Sequence, residues 1–213
     1  MSLGFARTIL VAAFVAVLLP AALAADPRPE IGQVDRLQGA ASARYEGTAR
    51  ALKPSDMIYL DDVLSTEAGA RLLVRLADET ELTLGEEAEL VVDRFVYDPD
   101  GEAGSLVVRS LAGAFLFTGG LVEKASGAEV RIDTPVATLG IRGTTAWGGQ
   151  IDGLYGIMVI DGTVTVATDA GQVTLGPGDG SSIADRAAPP GPIKRWAPEK
   201  VARARATVAF DPE

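Results

Sequence analysis

Apolar and polar residues alternate with a period of two along most of this chain. Leu72, Val74 and Leu76 interleave with Leu73, Arg75 and Ala77. Glu81-Leu82-Thr83-Leu84 resumes the rhythm after a tight turn at 77–80. Such alternation sends successive side chains to opposite faces of a strand. IGQVDRLQG and ASARYEG predict a first hairpin turning near Gly39. DMIYLDDVLST predicts one strand entering a turn at Glu67-Ala68-Gly69, and Leu90 to Tyr97 predicts another. With SLVVRSLAGAFLFTGG, AEVRIDTPVATLGIRG, LYGIMVIDGTVTVAT and QVTLGPGDG, the pattern predicts about a dozen short strands, spaced as in all-β domains.

A helical period enters only at APEKVARARATVAF. Pro198 in a first turn and Glu199 near a helix N-terminus predict a short C-terminal helix there. The two stretches LLVRLADETELTLGEEAEL and GIMVIDGTVTVATDAGQVTLGPGDG echo each other, with Leu84-Gly85 matching Leu175-Gly176. Two such units suggest stacked or facing layers, so the expected fold is all-β: a compact β-roll, a jelly-roll-like sandwich or a short β-helix.

Three segments are expected. Residues 1–25 carry one charge, Arg7, then an apolar run from Ile9 to Leu19, Pro20, and the small-residue pattern Ala22-Leu23-Ala24. This is the layout of a signal peptide cleaved near Ala25 or Asp26, which predicts a periplasmic or secreted protein. An uncleaved anchor is the alternative, because Thr8 to Ala25 is just long enough to span a bilayer. Contact with membrane is expected only through this segment, before cleavage. Residues 26–185 form the β domain, and RAAPPGP opens a Pro-rich linker and tail over 186–213.

The chain of 213 residues has no Cys and no His. That removes Cys- or His-based zinc sites, Ser-His-Asp and Cys-His catalysis, and haem held by those ligands. No disulfide can form, so packing alone must hold the fold. The net charge of −10 disfavours nucleic acid, which needs clustered cations. No cofactor is expected, and no enzyme. Carboxylates remain as candidate chemistry. Asp61-Asp62 and Glu86-Glu87 with Glu89 could serve a hydrolase, although turn and edge positions make a solvated role the plainer reading. DPDGE at 98–102 resembles half of a calcium loop and equally an ordinary hairpin turn. Trp147 and Trp196 are either core residues or interface anchors.

TPVATLGIRGTTAW, residues 134–147, is too apolar for a loop and too rich in Gly and Pro for a helix. Ala137, Leu139 and Ile141 should face one side of a strand and Val136, Thr138 and Gly140 the other. Gly140 and Gly143 predict a bend. Arg142, the one charge between two apolar runs, is expected to be a buried tie to a carboxylate or to strand carbonyls. The competing reading makes it an anion site beside the hydroxyls of Thr144 and Thr145.

The order of these motifs resembles the FecR domain family of exported bacterial β modules. The resemblance rests on Gly32-Gln33-Val34, on Asp61 to Thr66, and on Gly69 to Leu72. It continues through Leu76-Ala77-Asp78-Glu79-Thr80-Glu81-Leu82, where Glu79 stands at the usual Gly. Its most specific element combines Thr134, Pro135 and Ala137 with Arg142, Gly143 and Thr144. Asp161 to Val166 and Leu175 to Asp179 close it. The resemblance implies a ligand-free module that works by protein contact. In the family's transmembrane sensors the domain is periplasmic, contacts an outer-membrane receptor and regulates a sigma factor in iron uptake. Only seven residues precede Thr8 here, so the expectation is the exported module alone, without a sigma-factor-holding segment. Its partner would be an envelope protein, an outer-membrane receptor or another periplasmic protein. A cell-wall or carbohydrate-binding module is the alternative.

Overall fold

The computed structural model describes residues 28–99 and 104–212. The expected signal peptide lies outside the described residues, as do positions 100–102 of the DPDGE run. The chain runs through β1 (Glu30–Gln38), β2 (Ala41–Tyr45), β3 (Thr48–Ala51), β4 (Met57–Tyr59), β5 (Val63–Thr66) and β6 (Arg71–Leu76). Next come β7 (Glu81–Leu84), β8 (Glu89–Tyr97), β9 (Gly104–Ala112), β10 (Phe115–Thr118) and a 3-10 turn over Val122–Lys124. β11 (Glu129–Asp133), β12 (Thr138–Ile151), β13 (Leu154–Thr168), β14 (Gly171–Leu175), β15 (Asp179–Ile183) and β16 (Lys194–Arg195) follow, and helix α1 (Pro198–Ala206) ends the chain. The fold is all-β, a single curled sheet with one short C-terminal helix.

β12 joins two halves of that sheet. One half is ordered β3-β2-β5-β8-β9-β11 and the other β10-β7-β6-β1-β4. Residues 138–140 of β12 pair with β11, whereas residues 145–148 pair with β10. On its other edge β12 pairs with β13 from end to end, Thr138 opposite Ala167 and Ile151 opposite Leu154. β13 likewise changes neighbour, from β15 along residues 155–158 to β14 along residues 164–168. A strand that serves two sheets turns the corner through a bulge. The register of β12 on β13 slips between Arg142 and Thr145, and again before Ala146.

Glycine is required on both sides of this corner. Gly143 has φ +60° and Gly162, across from it, φ +78°. A Cβ on Gly162 would collide with the Gly143 carbonyl oxygen. Alternation fills the interior from both halves: Leu72, Val74, Leu82 and Leu84 meet Leu106, Val108, Ile132 and Leu139, all at most 1% exposed. A second cluster lies on the outer face of the β12–β13 hairpin. There Trp147 and Trp196 meet edge to face at 5.9 Å, packed with Met158, and with Ala204 and Val208 from α1 and its end. Trp147 Nε1 donates to Thr207 Oγ1 at 3.0 Å, which ties the C-terminal segment to the sheet.

Two local expectations are corrected. The chain does reverse at Gly39, φ +73°, but β1 and β2 do not pair. β1 lies between β4 and β6, and β2 between β3 and β5. The turn sends consecutive strands into opposite halves, because alternation specifies a buried face and not a neighbour. The strand expected over DMIYLDDVLST is two strands, broken where Asp61 takes φ +65°. Asp62 there is 2% exposed; its carboxylate pairs with Arg28 at 2.9 Å and with Arg50, and accepts the Tyr59 N–H at 3.1 Å. It is a buried structural ion cluster rather than a solvated edge.

The corner predicts a contrast between two glycines of similar φ. Gly162→Ala loses about 2 kcal/mol or more, since left-handed strain adds to the backbone collision. Gly47→Ala, at φ +82° with open space around the site, loses only about 1 kcal/mol. Urea unfolding of the two variants checks this; equal losses would contradict the corner geometry.

Candidate functional site

The Arg-Gly-Thr motif lies at the corner of the fold. Thr144 is 4% exposed, and its hydroxyl lies where the β12–β13 ladder is broken. Thr144 Oγ1 accepts the N–H groups of Arg142 and Thr163, both at 3.2 Å. Its own proton has two acceptors within reach, the carbonyls of Arg142 at 2.8 Å and Thr163 at 2.9 Å. One side-chain oxygen thus replaces the ladder bonds that the bulge removes, as buried backbone groups require.

Glu123, on the 3-10 turn, closes the bulge from the other side. Its Oε2 accepts the Thr144 N–H at 3.1 Å, and the Gly143 N–H also points to this carboxylate. Gly119 donates its N–H to the Thr144 carbonyl at 2.9 Å. Glu123 Oε1 is buried against Gly119 with no hydrogen-bond partner among the described residues. Burial pushes the Glu123 carboxyl above its ordinary pKa, and the nearby Asp78 pushes the same way; the two backbone donors pull against them.

The loop that carries Glu123 is held in turn by the β6–β7 turn. Asp78, fully buried, accepts Thr80 N–H at 3.1 Å, Thr80 Oγ1–H at 2.8 Å and Val122 N–H at 3.0 Å on its carboxylate. Its carbonyl takes the Leu121 N–H at 2.7 Å, and Thr80 Oγ1 takes the Gly120 N–H at 3.1 Å. Glu79, at the family's usual Gly position, has φ +68°, the backbone region that explains a glycine there. The 119–124 loop therefore joins the motif at 78–80 to that at 142–144, which itself meets 161–163 across the β12–β13 ladder.

Thr134, Pro135 and Ala137 form a separate device. They make the turn between β11 and β12, with Pro135 exposed and Ala137 fully buried. The Thr134 N–H and hydroxyl both donate to the Ala137 carbonyl at 2.8 Å, and Thr134 Oγ1 accepts the Ala137 N–H at 3.0 Å. Arg186 Nη2 reaches back to the Thr134 carbonyl at 2.8 Å. Ala137, Leu139 and Ile141 are buried, and Val136, Thr138 and Gly140 are not, as alternation requires.

Arg142 departs from expectation. Its side chain is exposed, and among the described residues its guanidinium makes no hydrogen bond or ion pair. Only its backbone N–H and carbonyl join the bulge. Positions 142 and 143 both face solvent because the bulge interrupts the alternation. The anion-site reading is narrowed to the solvent-facing Arg142 and the half-buried Thr145, since the Thr144 hydroxyl is taken up by four backbone groups. A cavity of about 250 Å³ beside the motif is lined by Glu123, Ala128, Val130, Ile141 and Arg142 among others.

The acidic candidates disperse. Glu86 accepts the Gly69 N–H at 2.9 Å, Glu87 occupies a turn at φ +49°, and Glu89 pairs with Arg44 at 2.7 Å. Among the described residues no three Asp or Glu side chains cluster as metal ligands would. Sequence reading missed Glu123. A lone acid just after Gly119-Gly120 was the available signal, and nothing local names its partner.

A family model described as FecR protein matches residues 62–165, from the buried Asp62 to just beyond the corner. Two crystal structures of a candidate anti-sigma factor from Parabacteroides distasonis share the fold, with TM-scores of 0.52 and 0.50 at 19% and 17% identity. Each superposition covers 66% of this chain, which spans 62% of the length of the solved one. No curated protein matches the chain.

Two outcomes test the corner as a structural site. Thr144→Val, close to isosteric, loses about 2 kcal/mol because it leaves buried backbone groups unpaired. Arg142→Ala stays within about 0.5 kcal/mol, as an exposed change should. Equal losses in urea unfolding would refute the assignment. The second outcome is a pH dependence. A carboxyl whose folded pKa is raised adds stability below its unfolded pKa and loses it as pH rises through the folded one. The stability difference between wild type and Glu123→Gln therefore shifts against wild type as pH rises from the ordinary carboxyl range through the raised folded value. A flat difference across that range would contradict the burial of Glu123.

Proposed function

We infer that this chain, FecR-like over residues 62–165, is an exported, non-enzymatic β module that acts by protein–protein contact in envelope signalling or scaffolding. One observation carries the reading: apart from the solvent-facing Arg142, the polar side chains at the corner are turned inward on its backbone and on each other. Asp78, Thr80, Glu123 and Thr144 use their polar atoms to hold the corner. A site that transforms a substrate needs groups free to meet it. These groups instead specify a shape, and a shape is useful to a partner.

The family match supports a regulatory role, and the name of the structurally similar protein points the same way. Export rests on the sequence of residues 1–25. Among the described residues no helix is long and apolar enough to cross a membrane. An outer-membrane receptor or another periplasmic protein is the partner class. The cell-wall reading draws no support from the surface. Among the described residues the most exposed large hydrophobics are Val96, Leu111, Leu121, Leu154 and Ile193, and rings such as Phe95 and Tyr97 are only half-exposed.

Expression of the full chain in a bacterial host tests both halves of the reading. The periplasmic or secreted product should begin near Ala25 or Asp26 by N-terminal sequencing. A photo-crosslinker at exposed Leu111 or Val96 should give discrete protein adducts in the envelope fraction. A full-length cytoplasmic product, or co-sedimentation with peptidoglycan in place of adducts, would contradict it.

A further inference from the structure

The protein carries a net charge of −10, yet one concavity is bordered by cations. It measures about 450 Å³ and is edged by Lys194, Arg195 and Lys200, with no Asp or Glu among its described lining residues. Two of these cations already have partners: Asp152 pairs with Lys200 at 3.1 Å, as it does with Arg203 at 2.7 Å, and Arg195 Nη2 donates to the Pro177 carbonyl at 3.0 Å. Lys194 is exposed and has no partner among the described residues.

The floor of this groove is apolar. Trp196 lies across Gly156 and Gly180; a Cβ on Gly156 would come within 2.8 Å of the ring, and one on Gly180 would collide with Nε1. The glycines thus make the seat on which the ring rests. The Trp196 N–H makes no hydrogen bond to any described residue, while Lys200 Nζ stands 4.3 Å from the ring centroid. Leu154 lines the groove at 42% exposure, and Ile193 stands next to it in sequence at 47%.

The backbone adds a third feature. β16 pairs with β15 along one edge only, Asp179 opposite Arg195 and Gly180 opposite Lys194. Among the described residues no strand pairs with its other edge, and an unpaired edge can take an extended peptide.

We propose that this groove is a docking site for an extended acidic segment of a partner protein. The segment adds to the free edge of β16, sets an apolar side chain on Leu154 and the accessible rim of Trp196, and places its carboxylates on Lys194 and Arg195. Charge complementarity selects the occupant: an acidic chain gains at this cationic groove and is repelled by the net negative charge of the protein. Concavity favours a strand over a flat lipid surface. The proposal rests on the protein-contact reading and names the chemistry of the contact.

The test is fluorescence anisotropy of a labelled octapeptide alternating glutamate with leucine, titrated with the purified full chain. The acidic peptide should bind, and its lysine-for-glutamate counterpart should not. Lys194→Glu combined with Arg195→Glu should weaken binding by about tenfold or more, with the near-UV signal of the buried Trp147 confirming the fold. Equal binding of both peptides, binding unchanged in the double variant, or binding to phosphatidylglycerol vesicles in place of the peptide overturns the proposal. Crosslinked adducts at Leu111 or Val96 without peptide binding would sink the groove and leave the protein-contact reading standing. No adducts from any exposed position, Ile193 included, would sink both.

Discussion

A strand that leaves one half of a sheet and enters the other must break its ladder without stranding amides in an apolar interior. β12 faces this constraint between Arg142 and Thr145, and three groups meet it. The Thr144 hydroxyl stands in for the lost bonds between β12 and β13. The Glu123 carboxylate takes the amides that the bulge turns outward. Gly162 lets the two backbones pass at a distance no side chain would allow, and Gly143 takes the left-handed φ of +60° that the bulge needs. Replacing water at a buried N–H is worth the full desolvation of that group, so this small corner governs the stability of a much larger sheet.

The constraint spreads outward by contact. Glu123 can reach the bulge only because Asp78 and Thr80 fix the loop from Gly119 to Lys124. That loop connects β10 in one half to β11 in the other, the same two strands that flank β12. The turn at 78–80 belongs to the second half, so the network joins both halves at one place. These polar residues spend their hydrogen bonds on the backbone of the corner. The surface differs from place to place: acidic on balance, cationic and apolar around Trp196.

Much of the fold could be read from alternation. The strands around Leu72–Leu76, Glu81–Leu84 and Leu90–Tyr97, the buried face of Ala137, Leu139 and Ile141, and the helix at Pro198 follow from local pattern. What escaped was long-range. Gly39 is a turn, but nothing near it says that β1 will pair with β6 rather than β2. Asp61 takes a positive φ and splits a segment that reads as one strand. Arg142 looked buried because apolar residues flank it; the bulge shifts the alternation and puts it outside. Glu123 was invisible because its meaning lies in two amides 20 and 21 residues away along the chain. The most specific motif was legible as a bend, and its partner was not.

Native-state amide hydrogen exchange at Gly143, Thr144 and Thr163 addresses the central claim most directly. If the corner unites the halves, these amides open only with the whole molecule. Their opening free energies then match those of Leu82 in one half and Val108 in the other. Exchange at the corner through a low-energy local opening, while Leu82 and Val108 stay protected, would contradict that account. The corner would then be an ornament on a sheet held together elsewhere.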